Sequence, residues 1–170
     1  MNEPIQNFIK DYTELKDFLF AQGQISMANE VDDHFRKVLL LSSASFFETE
    51  IQNIIIEFIS NHSNDSKVVH FLKNKAIMRQ YHTYFNWKDN NANSFFGLFG
   101  DEFKCKITQE IKGNEDLKDK MKAFLELGDE RNKMVHENFL SYNLQKTFDE
   151  IVSMYEKSKG FVEYIKKELC

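Results

Sequence analysis

The six residues from Arg131 to His136, which read R-N-K-M-V-H, hold the side chains best suited to chemistry in this chain. On a helix, Asn132 and His136 lie one turn apart and nearly in line, while Arg131 is offset from His136 by roughly 140°. The long side chain of Arg131 can still reach the same phosphate-sized space. A titratable imidazole, a fixed cation and an amide in one patch are the components of a metal-free site that cleaves phosphodiesters.

Each of these three side chains also has a purely structural interpretation. Asn132 can form hydrogen bonds at the start of a helix, and His136 can be a buried histidine with satisfied hydrogen bonds. Arg131 can instead form an ion pair with an acidic residue: Glu48, Asp129 or Glu130. The surrounding elements must decide between these interpretations and the catalytic one.

The residues just before the motif predict a short motif helix. Gly128 is expected to end the preceding helix, and Asp129 is expected to be the N-cap of the next one. Arg131 and Asn132 would then lie in a first turn, where free N–H groups and partial positive charge favour anions.

The rest of the chain predicts an all-α fold with a long second helix. One Pro and six Gly leave little to interrupt helices, and no alternating strand pattern occurs. The expected elements are a helix from Pro4 to Gly23, a long helix capped by Ser26, a third helix marked by Val69 to Tyr81, a loop-rich stretch from Asn86 to Gly100, a helix over about 101–111, a helix capped by Asn114, and a last helix opened by the capping box Thr147–Glu150.

Glu48 interrupts the apolar face of the long second helix. The stripe with alternating steps of three and four residues consists of Val38, Leu41, Ala44, Glu48, Ile51, Ile55 and Phe58. A carboxylate in such a face needs a partner or a water-filled gap. We therefore expect Glu48 in the interior, near Arg131.

Composition indicates one soluble domain over residues 1–170, located in the cytoplasm. Hydrophobic residues make up 42% and charged residues 29%, and no apolar run approaches the length of a membrane span. Cys105 and Cys170 lie far apart in the sequence and form no C-x-x-C pair, which favours free thiols in a reducing compartment over a disulfide.

The net charge of −5 argues against nonspecific coating of nucleic acid but allows a small basic groove. The scattered histidines (His34, His62, His70 and His82) lack the spacing of zinc ligands, and no cofactor motif occurs.

Two segments resemble the HEPN superfamily of small helical proteins. The segment L-x-L-G-D-E-R-N-K-M-V-H-E-N-F, from Leu125 to Phe139, resembles the helix that carries an R-N-x3-H motif in many members. The segment from Val38 to Ile51 is similar to the family's second helix, and that from Trp87 to Gly100 resembles the RiboL-PSP-HEPN subgroup. Glu137 departs from the small residue that often follows the histidine and adds negative charge beside the site.

The resemblance implies a HEPN-like helical bundle that acts as a metal-independent endoribonuclease on RNA. It assigns Arg131 and His136 to catalysis, with Asn132 and Glu48 binding RNA or orienting these two groups. It also implies a homodimer with one composite cleft, in which a second His136 completes an acid–base pair, and a toxin or defence context with a neutralising protein such as an antitoxin. The expected product is a 2′,3′-cyclic phosphate. The alternative is a non-catalytic helical dimerisation module that binds a nucleotide or a protein.

Overall fold

The computed structural model describes residues 3–170, and within them it contains helices and no strand. The helices are α1 (Glu3–Ala21), α2 (Ile25–His62), α3 (Ser66–Leu72), α4 (Tyr81–Tyr84), α5 (Asn93–Gly97), α6 (Asp101–Lys112), α7 (Glu115–His136) and α8 (Phe148–Leu169), with a π-helical turn (Lys73–Ile77) after α3. The predicted all-α class and the long second helix are therefore confirmed.

Local capping signals in the sequence set several of these helix ends. The side chain of Asn114 accepts from the N–H of Leu117, and Thr147 and Glu150 form the predicted capping box of α8. Ser26 is not a cap, because α2 already begins at Ile25 and Gln24 precedes it without a side-chain cap. Capping residues predict helix ends well because the side chain and the backbone N–H that form the cap hydrogen bond are only a few residues apart in the sequence.

The core forms where α2, α7 and α8 pack together, and α1 covers another side of α2. Aromatic side chains fill it: Phe124 contacts Phe47 and Phe161, with ring centroids 5.9 and 5.4 Å apart. These three rings are each at most 1% exposed. The abundance of Phe in the sequence thus reflects mainly a core built from stacked and edge-to-face rings.

The predicted short motif helix is wrong, because α7 continues through Gly128 and Asp129 to His136. Gly128 serves packing rather than helix termination: a Cβ atom there would lie 2.1 Å from the indole ring of Trp87. The missing side chain lets the indole pack directly on the helix. The motif therefore lies in the last two turns of a 22-residue helix, and the anion-favouring N-terminus is not beside it.

This packing predicts that Gly128→Ala destabilises the fold, by about 1–3 kcal/mol, the usual cost of overpacking a core. The neighbours of Trp87 include Phe85 and Phe124, so its ring has little freedom to move aside. Gly160→Ala in α8 is the matched control, because its Cβ would meet only the flexible end of Lys120. That control should be neutral or stabilising by up to ~1 kcal/mol, the helix preference for Ala over Gly. Urea unfolding of both variants measures the difference, and equal shifts would contradict this account.

The predicted third helix is interrupted rather than continuous. After the π-helical turn, Met78 is extended (φ −62°, ψ 128°) and Arg79 has a left-handed φ of 67°. The hydroxyl of Tyr84 donates to the carbonyl of Ala76 at 2.7 Å, which satisfies an acceptor that the broken helix leaves open. The break turns the chain so that α4 lies against α2.

Candidate functional site

A cavity of about 370 Å³ lies between α2, α4 and α7. Its apolar walls include the rings of Phe47, Trp87 and Phe124. Its polar lining includes all four side chains that the sequence singled out: Glu48, Arg131, Asn132 and His136. The tertiary structure thus brings the long second helix and the motif to one concave surface.

Arg131 is half-buried, and its Nη1 donates to Oδ1 of Asn132 at 3.0 Å. Within residues 3–170 it forms no ion pair, so the alternative interpretation of Arg131 as the ion-pair partner of an acidic residue does not apply. Asp129 and Glu130 instead bind Lys133, each at 2.8 Å, and these bonds raise the pKa of the lysine, the bond to Asp129 most strongly. Because a guanidinium has five N–H donors, Arg131 keeps several for an anion in the cavity.

His136 is the last residue of α7 and is exposed, so the buried-histidine interpretation does not apply. Asn132 lies one turn before it, on the same cavity wall. The amide oxygen of Asn132 is engaged by Arg131 rather than by the imidazole. The imidazole therefore remains accessible to solvent and to a bound substrate.

Glu48 is half-buried and faces the same cavity as Arg131, without a direct ion pair between them in the described part of the chain. Both charges act on the phenol of Tyr81. Burial raises the pKa of Tyr81, the carboxylate of Glu48 raises it further, and the guanidinium of Arg131 opposes this. Tyr81 consequently remains a neutral phenol at physiological pH.

The sequence profile of the RiboL-PSP-HEPN family matches residues 6–170. This chain belongs to the RiboL-PSP-HEPN family. Comparison with curated proteins and with solved structures gave no match. The HEPN resemblance inferred from Leu125–Phe139 and Val38–Ile51 is confirmed at the level of the family.

The sequence reasoning did not assign Tyr81, His82 or Trp87 to the site, although all three line this HEPN cavity. They come from the broken third helix and the loop-rich stretch after it. No local pattern predicts that these segments meet α7, because their contacts with it are distant in sequence. The one available signal was Gly128, whose neighbour in space is Trp87.

The segment that follows His136 is tied to the rest of the HEPN fold by polar contacts. Arg36 on α2 donates from Nη1 to the carbonyls of Leu144 and Lys146, both at 2.8 Å. The hydroxyl of Tyr142 donates to Glu130 at 2.9 Å, and burial together with this carboxylate raises the pKa of Tyr142 to about 12. These contacts hold the exit from α7 in a defined path.

In residues 3–170, no group of three or more His, Cys, Asp or Glu side chains is arranged to hold a metal ion. The helices of this same range also lack the length and apolar composition needed to cross a bilayer.

Proposed function

We propose that this protein is a metal-independent endoribonuclease that cleaves RNA by attack of a 2′-OH on the adjacent phosphate. The observation that carries the proposal is the convergence of Arg131, Asn132, His136 and Glu48 on one cavity. Family membership supports the assignment, because the R-N-x3-H residues stand at Arg131, Asn132 and His136.

His136 is the proposed general base, because imidazoles titrate near physiological pH and this one is exposed. Arg131 is proposed to donate hydrogen bonds to the phosphate oxygens as negative charge builds up on them. Asn132, through its bond to Arg131, orients the guanidinium. Glu48 contributes a negative charge that attracts the guanidinium of Arg131 across the shared cavity.

Single-stranded RNA is the proposed form of the substrate. The lining of the cavity combines polar side chains with the aromatic rings of Tyr81 and Trp87. Aromatic side chains bind unpaired RNA by stacking on splayed bases. A net charge of −5 favours a local site of this kind over broad electrostatic binding.

A homodimer is the proposed assembly. Val135 lines the cavity beside His136 and is 52% exposed, and Leu140, four residues after His136 in the chain, is 71% exposed; this apolar surface is available to a second copy. Light scattering at micromolar concentration should give twice the mass of the chain, and a monomer would contradict this assembly.

The same surface is available to a neutralising protein such as an antitoxin. The free, exposed Cys105 and Cys170 are compatible with the proposed cytoplasmic location.

The test is an assay of the purified protein on mixed single-stranded RNA with a chelator present. We expect cleavage at the same rate with and without chelator, and fragments that end in a 2′,3′-cyclic phosphate and a 5′-OH. Loss of activity on chelation would contradict a metal-independent mechanism.

The alternative function is a non-catalytic helical dimerisation module that binds a nucleotide or a protein. The exposed apolar side chains of Val135 and Leu140 favour this alternative. Absence of cleavage on every RNA tried would support that alternative.

A further inference from the structure

A second imidazole, that of His82, lines the cavity that holds His136. His82 comes from α4 and His136 from the end of α7, so the two approach the cavity from different helices. Both are exposed enough to exchange protons with water. One chain therefore presents two groups of the type best suited to proton transfer at neutral pH.

The backbone that presents His82 departs from regular geometry at three successive points. The π-helical turn Lys73–Ile77 is followed by extended Met78 and then by Arg79 with φ 67°. Arg79 is the one non-glycine residue with positive φ in the part of the chain that the structure describes. Because such a conformation costs free energy and π-helical turns concentrate at functional sites, this segment points to a role beyond connecting α3 to α4.

Specific contacts then hold α4 against the cavity. The indole Nε1 of Trp87 donates to the carbonyl of His82 at 3.2 Å. The rings of Tyr81 and Trp87 pack with their centroids 5.3 Å apart. The indole in turn lies against Gly128 of α7, one turn before the motif. The backbone of His82 and the helix α7 thus contact the same aromatic ring.

Attack by a 2′-OH on phosphate requires two proton transfers, one from the attacking oxygen and one to the leaving oxygen. We propose that His82, rather than the His136 of a second copy, is the general acid of this reaction, within the same chain that supplies His136 as the base. This inference rests on the proposed endoribonuclease function. His136 accepts the 2′-OH proton as the new P–O2′ bond forms, and His82 gives its proton to the 5′-oxygen as the P–O5′ bond breaks. The products are a 2′,3′-cyclic phosphate and a 5′-OH, and exchange with water restores both imidazoles.

The charged and titratable groups that share this cavity are Glu48 from α2, Tyr81 from α4, and Arg131 and His136 from α7. One imidazole must be neutral and the other protonated for the reaction. The rate should therefore follow a bell-shaped pH profile whose alkaline limb reports the acid.

The experiment compares His82→Ala with His70→Ala, which removes an exposed histidine of α3 that does not line the cavity. Cleavage is measured on a natural RNA dinucleotide step and on one in which sulfur replaces the bridging 5′-oxygen. Sulfur leaves as a thiolate without protonation, so this substrate does not need the acid. We expect His82→Ala to lower the natural rate by about 10²-fold, to remove the alkaline limb and to cleave the sulfur substrate at nearly the wild-type rate. His70→Ala should match the wild type on both substrates.

Each of four results would overturn the assignment. A His82→Ala protein that cleaves natural RNA at the wild-type rate would overturn it while leaving the endoribonuclease proposal intact. An equal loss on both substrates would mean that His82 only supports the structure of the cavity. Recovery of His136→Ala by the sulfur substrate would reverse the roles of the two imidazoles. A wild-type protein that cleaves neither substrate would overturn this inference together with the proposed function.

Discussion

Replacing His136 with alanine is expected to lower the rate of RNA cleavage by roughly 10²–10⁴-fold, the usual effect of losing a general base or acid. The base must deprotonate the 2′-OH. Besides the imidazole of His82, the cavity is lined by one cation (Arg131), one amide (Asn132), one phenol (Tyr81) and one carboxylate (Glu48), together with apolar side chains. Neither a guanidinium nor an amide can take up that proton at neutral pH. The fold should persist, because the side chain is exposed and contributes little packing.

Single-turnover rates on end-labelled RNA measure this effect without interference from product release. His34→Ala is the matched control, because it removes an exposed imidazole of α2 that does not line the cavity. Thermal unfolding should give similar midpoints for both variants and the wild type. If His136→Ala cleaves RNA as fast as the wild type, the activity does not come from this site.

Replacing Arg131 with alanine should lower the rate by roughly 10²–10³-fold, the range observed when a donor to a developing negative charge is removed. Arg131 is the guanidinium that lines the cavity, and the nearby cation of Lys133 is already paired with Asp129 and Glu130. Arg131→Lys should recover only part of the rate, because an ammonium cannot donate two parallel hydrogen bonds in a planar fork.

Lys122→Ala provides the control for charge, because Lys122 is an exposed cation on α7 that does not line this cavity. This substitution should leave kcat unchanged, and the effect of the substitution on the cleavage rate should depend only weakly on salt concentration. Measuring kcat and KM separately distinguishes the two possible roles of Arg131. A rise in KM with unchanged kcat would mean that Arg131 binds the phosphate equally in ground and transition states, which contradicts its proposed role.

The sequence by itself determined the helical class, several helix ends and the residues of the motif. The all-α composition, the cap at Asn114 and the capping box Thr147–Glu150 act through contacts within a few residues, so they can be recognised without knowledge of the fold. Periodicity on α2 likewise placed Glu48 next to the core, where it is half-buried.

Only the tertiary structure decided how the motif is presented and what else surrounds it. Gly128 was expected to end a helix, but its role is set by Trp87, a residue distant in sequence that occupies the space of the missing side chain. The position of His82 likewise depends on the break at Arg79 and on the hydrogen bond from Trp87 to the His82 carbonyl. These features arise from packing between elements far apart in the chain, and local propensity carries no information about such contacts.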